Sequence, residues 1–258
     1  MSCHLENIKE LSGEIKSVVL VGSLSNNSYT GNAGSDIDIV HIISNDSDME
    51  MRNMIIDIIN KTQTETNNDI PISRCIYRYS DLFHPYKIDF ELTQSNKDYI
   101  ELPIEILRMK ESGIVVYGEN IIDNIDTPLR EDIILFEKLA QQWNGAMARE
   151  NPEAEEKRKR LLDNPTASII TQIVLTRAML DYYFATNKSC SNKLIIVDVI
   201  NKDVPQYYFK KVLGLAVKWR YNINRFTIED EQEMQSLFKE WCFIRNGKEV
   251  DFVPMYGT

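Results

Sequence analysis

A short apolar strand, a glycine–serine turn and a second strand with acids at alternate positions constrain this chain more than any other feature. Val18-Val19-Leu20-Val21 leads into Gly22-Ser23, and after twelve intervening residues comes Asp36-Ile37-Asp38-Ile39-Val40. Successive side chains of an extended strand point to opposite faces, so Asp36 and Asp38 are expected to share one face while Ile37 and Ile39 enter a core. Two carboxylates side by side on an exposed strand face are costly without a cation, and their oxygens form a site for Mg²⁺. Gly22 permits a tight turn and close backbone approach. Ser23 adds a hydroxyl and an N–H suited to phosphate oxygens. The arrangement is one that holds a metal–nucleoside triphosphate beside an acceptor hydroxyl.

The pattern around this motif predicts an α+β fold with a helical second half. Residues 17–21 and 36–43 read as strands joined by a polar Asn/Gly/Ser-rich connection over 26–34. A helix is expected from about Asp46 to Thr62, with Met51, Met54, Ile55, Ile58 and Ile59 at helical spacing. Ile72–Tyr79 alternates as a strand, and Lys87-Ile88-Asp89-Phe90-Glu91-Leu92 alternates apolar against charged. Tyr99–Glu111 reads as a helix carrying Ile100, Ile104, Leu107 and Met109 inward, followed by the edge strand Ile114–Gly118. After Pro128 only helical stretches remain, over about 129–147, 153–163, 165–186, 204–221 and 228–245, with Pro205 in a first turn. The expected domains are 1–125, a mixed sheet with helices that carries the chemistry, and 126–258, an all-helical bundle that binds substrate.

Composition narrows the partners. The formal charge of −10 opposes binding of a long polyanion and favours a small cationic acceptor, so no nucleic acid is expected. No apolar run approaches the roughly 20 residues of a membrane helix. Met1–Glu6 lacks a basic region followed by an apolar stretch, so no secretory signal is expected. Cys3, Cys75, Cys190 and Cys242 show no paired spacing, which fits a reducing cytoplasm and argues against a zinc site or disulfide framework.

Nucleotidyl transfer requires a metal on the triphosphate, donors for the leaving pyrophosphate and a base for the acceptor hydroxyl. Asp36 and Asp38 supply the metal site, and Ser23 and Ser35 would hold phosphate oxygens. Asp89 and Glu91 share a strand face; one of them is expected to act as base, and Asp89 also qualifies as a metal ligand. Clustered carboxylates raise one another's pKa until a cation offsets them, so activity should require Mg²⁺. His41, directly after the acidic strand, is expected within the fold rather than as a ligand, and Trp143 as a core residue.

Gly22-Ser23…Ser35-Asp36-Ile37-Asp38 resembles the signature of the polymerase-beta-like nucleotidyltransferase superfamily. Ile114-Val115-Val116-Tyr117-Gly118 resembles the strand that closes the catalytic domain in aminoglycoside nucleotidyltransferases of the streptomycin/spectinomycin adenylyltransferase type. Trp143-Asn144 and Leu175-Thr176-Arg177 are similar to helical-domain motifs of that family. Thr186-Asn187-Lys188 followed by Lys193 is similar to its Thr-Gly-Lys…Lys, which implies that Lys193, or Lys188 in its stead, reaches the triphosphate. The resemblance implies ATP as co-substrate and Asp89 at the base position, where the drug-modifying enzymes usually carry Glu. It also implies an acceptor cleft between the domains, for which Glu150, Glu153, Glu155, Glu156, Asp163 and Asp181 are available acids. A monomer or homodimer is expected.

Two other readings stand beside the small-molecule enzyme. An adenylyltransferase acting on a protein side chain is usually shorter than this chain. A non-catalytic nucleotide sensor would be expected to lose an aspartate or the Gly-Ser, and here both are intact.

Overall fold

The computed structural model describes residues 2–11, 13–30, 36–47, 49–66, 70–86, 102–135 and 164–246. The chain divides into two compact units, Met1–Leu139 and Ala140–Thr258.

The first unit is built on a four-stranded mixed sheet in the order β3-β2-β1-β4. Its strands are β1 (Ile15–Leu20), β2 (Ile39–Ile43), β3 (Cys75–Arg78) and β4 (Ile114–Gly118). The central β1 runs antiparallel to both β2 and β4, and β2 runs parallel to β3. Near-continuous apolar runs in β1 and β2 suit a sheet covered on both faces. On one face Val18, Ile39, Ile43 and Ile76 pack with Ile8, Ile55 and Ile59 of helices α1 (Ser2–Ile8) and α3 (Met49–Glu65). On the other, Val19, Val40, Ile42 and Tyr77 pack with Leu102, Ile106 and Met109 of helix α4 (Leu102–Ser112). A one-turn helix α2 (Gly22–Ser25) follows β1 directly.

Several boundaries differ from the sequence expectation. The second strand begins at Ile39, and Asp36–Asp38 precede it, joined to the sheet by a single bridge between Ile37 and Ile72. The ladder stops there because β1 turns away at Gly22, and Val21 N–H donates to the Asp38 carbonyl as the last rung. Ser73 replaces a rung on the other side: its hydroxyl accepts from Ile39 N at 2.8 Å and donates to Ile39 O at 3.0 Å. Helix α3 starts at Met49 because residues 44–47 form a turn whose Ser44 and Ser47 hydroxyls both donate to Glu14 Oε2. Helix α1 was not expected. It is short and polar in sequence, and only its tertiary partners reveal its buried side. The segment Lys87–Leu92 lies outside the described residues.

The second unit is helical where described: α5 (Ala167–Thr186), α6 (Ile196–Asp203), α7 (Lys210–Tyr221) and α8 (Ile228–Asn246). Thr166 caps α5, its hydroxyl accepting from Ile169 N, and Asn187 ends the helix at φ 54°, a left-handed conformation asparagine tolerates. Helix α6 was missed because Ile196-Val197-Asp198-Val199-Ile200 is a short β-branched run that periodicity alone does not resolve. Its burial of Ile196 and Ile200, four residues apart, is the helical signature. The helix expected from 204 begins at Lys210 instead. Pro205 lies in a turn, and Tyr207 and Phe209 use that irregular stretch to enter the core beside Trp241. Of the helix expected over 129–147, residues 130–135 are helical and the remainder lies outside the described residues, as does 153–163.

Candidate active site

Strand alternation sorts the acids at the mouth of β2. Ile37 and Ile39 pack into the core beneath α1 and α3, so Asp36 and Asp38 fall on the opposite face, the one α4 covers. Asp36 is exposed and Asp38 is partly buried.

Asp38 reaches directly over the Gly22 turn. Gly22 has φ +74°, a conformation L side chains rarely adopt, and a Cβ there would stand 2.0 Å from Asp38 Oδ2 and 2.6 Å from Arg108 Nη2. Glycine is therefore required twice, by its backbone and by the space it leaves. The short α2 begins here, and the first N–H groups of a helix have no acceptor within it. Asn26 N and the Ser25 hydroxyl both donate to Gly22 O, and the Ser25 and Ser112 hydroxyls lie 3.3 Å apart, fixing the turn against α4. Among the described residues Ser23 Oγ engages in no hydrogen bond, which leaves it available to an incoming oxygen.

Sequence reasoning missed Arg108. From α4 its Nη2 donates to Asp38 Oδ2 at 2.6 Å and its Nη1 to Glu105 Oε1 at 2.5 Å. Glu105 is 2% exposed, although the helical pattern left it no reason to be inside. Burial pulls the Arg108 pKa down, but the Glu105 and Asp38 carboxylates outweigh that and hold its proton more tightly than usual. Arg108 brings one positive charge to the two carboxylates of Asp38 and Glu105. The position at Asp38 Oδ2 thus already accommodates a cation, and the donor set of hard carboxylate oxygens suits Mg²⁺, which is held by one or two carboxylates together with substrate phosphates. Among the described residues no three acids, histidines or cysteines cluster closely enough to hold a metal by themselves.

The other predicted residues divide into two groups. Ser35, Asp89, Glu91 and Trp143 lie outside the described residues. Lys188 and Lys193 belong to the second unit. Lys188 Nζ donates to Asp203 Oδ2 at 3.4 Å, an oxygen that also accepts from the Tyr182 hydroxyl at 2.7 Å. Lys193 is half-buried in the turn before α6. Asp181 is 3% exposed; it accepts from Arg177 Nε at 3.1 Å and from the Tyr207 hydroxyl at 2.9 Å.

Replacing Gly22 with alanine should strike the site before the fold. The left-handed backbone costs about 1–2 kcal/mol for a side-chain-bearing residue, seen as a melting temperature lower by a few degrees. The methyl group displaces the Asp38 carboxylate, and an ångström of misplacement costs about 10²-fold in turnover. Activity within threefold of wild type would show that the close approach of Gly22 and Asp38 is dispensable.

Comparison with known proteins identifies the family and the fold. The family model of the nucleotidyltransferase domain matches residues 1–140. The fold is similar to spectinomycin adenyltransferase AAD(9) from Enterococcus faecialis, solved with ATP and spectinomycin, at 15% identity and TM-score 0.50. That match covers 92% of this chain and 98% of the other. A toxin–antitoxin structure with AMP-PNP (13% identity, 61% of this chain and 97% of that one, TM-score 0.29) is too distant in shape to bear on the argument. The same holds for a mutant of the MntA-HpeT toxin–antitoxin (12%, 60% and 94%, TM-score 0.27). No curated protein sequence matches. No helix among the described residues is long and apolar enough to cross a membrane. With more than half its length matched, the chain belongs to the nucleotidyltransferase domain family and is a nucleotidyltransferase.

Proposed function

We propose that the enzyme transfers AMP from ATP to a hydroxyl of an aminoglycoside-like small molecule and releases pyrophosphate, with Mg²⁺ required. The observation that carries this reading is Asp38 set against the Gly22 turn with a cationic group already on its carboxylate. In the reaction the acceptor oxygen forms a bond to the α-phosphorus while the bridging oxygen of pyrophosphate departs with its bonding electrons. The hydroxyl proton passes to Asp89 or Glu91, whichever reaches the acceptor.

Asp36 and Asp38, with Asp89, would hold the divalent ion, which when bound neutralises charge on the triphosphate. Gly22, Ser23 and Ser35 would receive phosphate oxygens through backbone N–H and hydroxyl groups. Lys193, or Lys188 after release from Asp203, would add a positive charge to the leaving pyrophosphate. Residues 126–258 serve in this reading as the acceptor-binding domain. The strongly acidic chain favours a cationic acceptor, and the similarity of fold to an enzyme solved with ATP and spectinomycin points to the same substrate class. Because Asp181 is engaged by Arg177 and Tyr207, its role is to hold the helical core together. Amines of the acceptor would instead meet acids such as Glu150, Glu153 and Asp163. The resting place of the protein is taken to be the cytoplasm, where ATP and Mg²⁺ are abundant.

Incubation with ATP, Mg²⁺ and a panel including streptomycin and spectinomycin should release pyrophosphate and give a product heavier by one nucleoside monophosphate in mass spectrometry. Adducts on protein and none on any panel member would transfer the activity to a protein acceptor.

A further inference from the structure

The guanidinium of Arg108 occupies the carboxylate oxygen that the proposed function assigns to the divalent ion. Its other nitrogen is anchored on Glu105, a side chain that is 3% exposed, so the arginine is positioned from behind rather than loosely draped over the site. The same Nη2 lies 2.6 Å from where a Cβ on residue 22 would be, hence against the Gly22 turn. One side chain therefore lies beside both Asp38 and the turn that the proposed function assigns to the phosphates. A divalent ion held by Asp38 Oδ2 would meet a guanidinium nitrogen already 2.6 Å from that oxygen, and the two like charges would repel.

We propose that Arg108 is the counter-cation of Asp38 until substrate arrives, and that it then yields Asp38 to the ion by pivoting on Glu105 toward the nucleotide phosphates. Arg108 is in this sense a positioning residue that couples the two ligands. Without nucleotide the ion must displace a guanidinium whose carboxylate partners among the described residues are Asp38 and Glu105. With nucleotide the phosphates accept that guanidinium, and Asp38 is released. By linkage the coupling is reciprocal: each ligand strengthens the other's binding by the same factor. The resting site is thereby protected from charge repulsion among its acids and from idle occupation by metal.

The inference rests on the metal role of Asp38, and the test separates the two. Mn²⁺ binding is measured by electron paramagnetic resonance, with and without a non-hydrolysable ATP analogue, so that the readout is equilibrium affinity rather than turnover. Arg108→Gln should bind Mn²⁺ alone about tenfold more tightly than wild type, within the roughly 5–150-fold range of such couplings. The enhancement given by the analogue should shrink by a similar factor. Because Arg108→Gln leaves Glu105 buried without its counter-charge, the double variant Arg108→Gln/Glu105→Gln, which removes both charges, should show the same tightening if the single variant folds poorly. Affinity and enhancement within twofold of wild type in the folded variant would overturn the inference while leaving the metal site intact. With the analogue present, wild-type protein that binds Mn²⁺ no better than Asp38→Asn would overturn both.

Discussion

Asp38→Asn is expected to lower nucleotidyl transfer by about 10³-fold or more while the protein still folds. The amide is nearly the same size and its oxygen still accepts from Arg108, so the packing over Gly22 persists. What is lost is the negative charge. A metal's stabilisation of charge in a phosphoryl-type transition state is several kcal/mol, and each 1.36 kcal/mol is a factor of ten in rate. Asn leaves a neutral ligand beside a guanidinium, so at this oxygen the site repels a divalent ion. Stability should change little, because the lost ion pair is only partly buried and Arg108 keeps Glu105. Pyrophosphate release with saturating ATP and Mg²⁺, together with a thermal melt, gives both quantities. A variant that retains a tenth of wild-type turnover, or that fails to fold, would show Asp38 to be a structural acid.

The parts of this site that were legible in the sequence are those written locally. Asp36, Asp38 and their interleaved isoleucines announce their faces because a strand has a period of two, whatever surrounds it. Gly22 announces a turn for the same reason: its conformational freedom belongs to the residue. Arg108 and Glu105 announce nothing. They lie three residues apart on an ordinary amphipathic helix, and such a pair is usually a solvated one. Only the placement of α4 across the Asp38 face turns them into a buried partner of the acid, 70 residues away in sequence. The boundary of β2 fell short for a related reason. Asp36–Asp38 have the strand pattern, but their neighbour β1 has already turned at Gly22, and a strand exists only where its partner continues. In the helical half, α6 was hidden because β-branched residues are ambiguous until one sees Ile196 and Ile200 buried together.

Acidification below about pH 6.5 is expected to destabilise the first unit through two histidines whose pairing no sequence pattern disclosed. His4 of α1 and His41 of β2 are 1% and 0% exposed, and their Nε2 atoms lie 2.9 Å apart. The surrounding bonds fix the tautomers. The Cys75 carbonyl can only accept, so His41 Nδ1, at 3.4 Å, carries a proton and its Nε2 is bare. His4 Nε2 must then donate to it, which leaves His4 Nδ1 bare to accept from the Thr62 hydroxyl at 3.3 Å; Thr62 in turn accepts from Asn7. Both rings are neutral, and a second proton on either removes an acceptor the network needs. Burial first, then the positive N-terminus, pushes the His4 pKa down to about 4. Burial first, then His4, pushes His41 down to about 3. Unfolded, both titrate near 6.5, so below that pH the unfolded chain binds more protons than the folded one and stability falls as pH falls. The contribution is complete above pH 6.5 and is lost progressively toward pH 4 and below. At pH 5 two such groups remove roughly 4 kcal/mol, a large share of the 5–15 kcal/mol a domain possesses. Urea unfolding at pH 7.5 and pH 5.0 measures this directly. The double variant His4→Leu/His41→Leu should keep its midpoint nearly constant across that interval while wild type loses several kcal/mol. Equal wild-type stability at the two pH values, or the same decline in the variant, would mean that the buried pair does not carry the acid sensitivity.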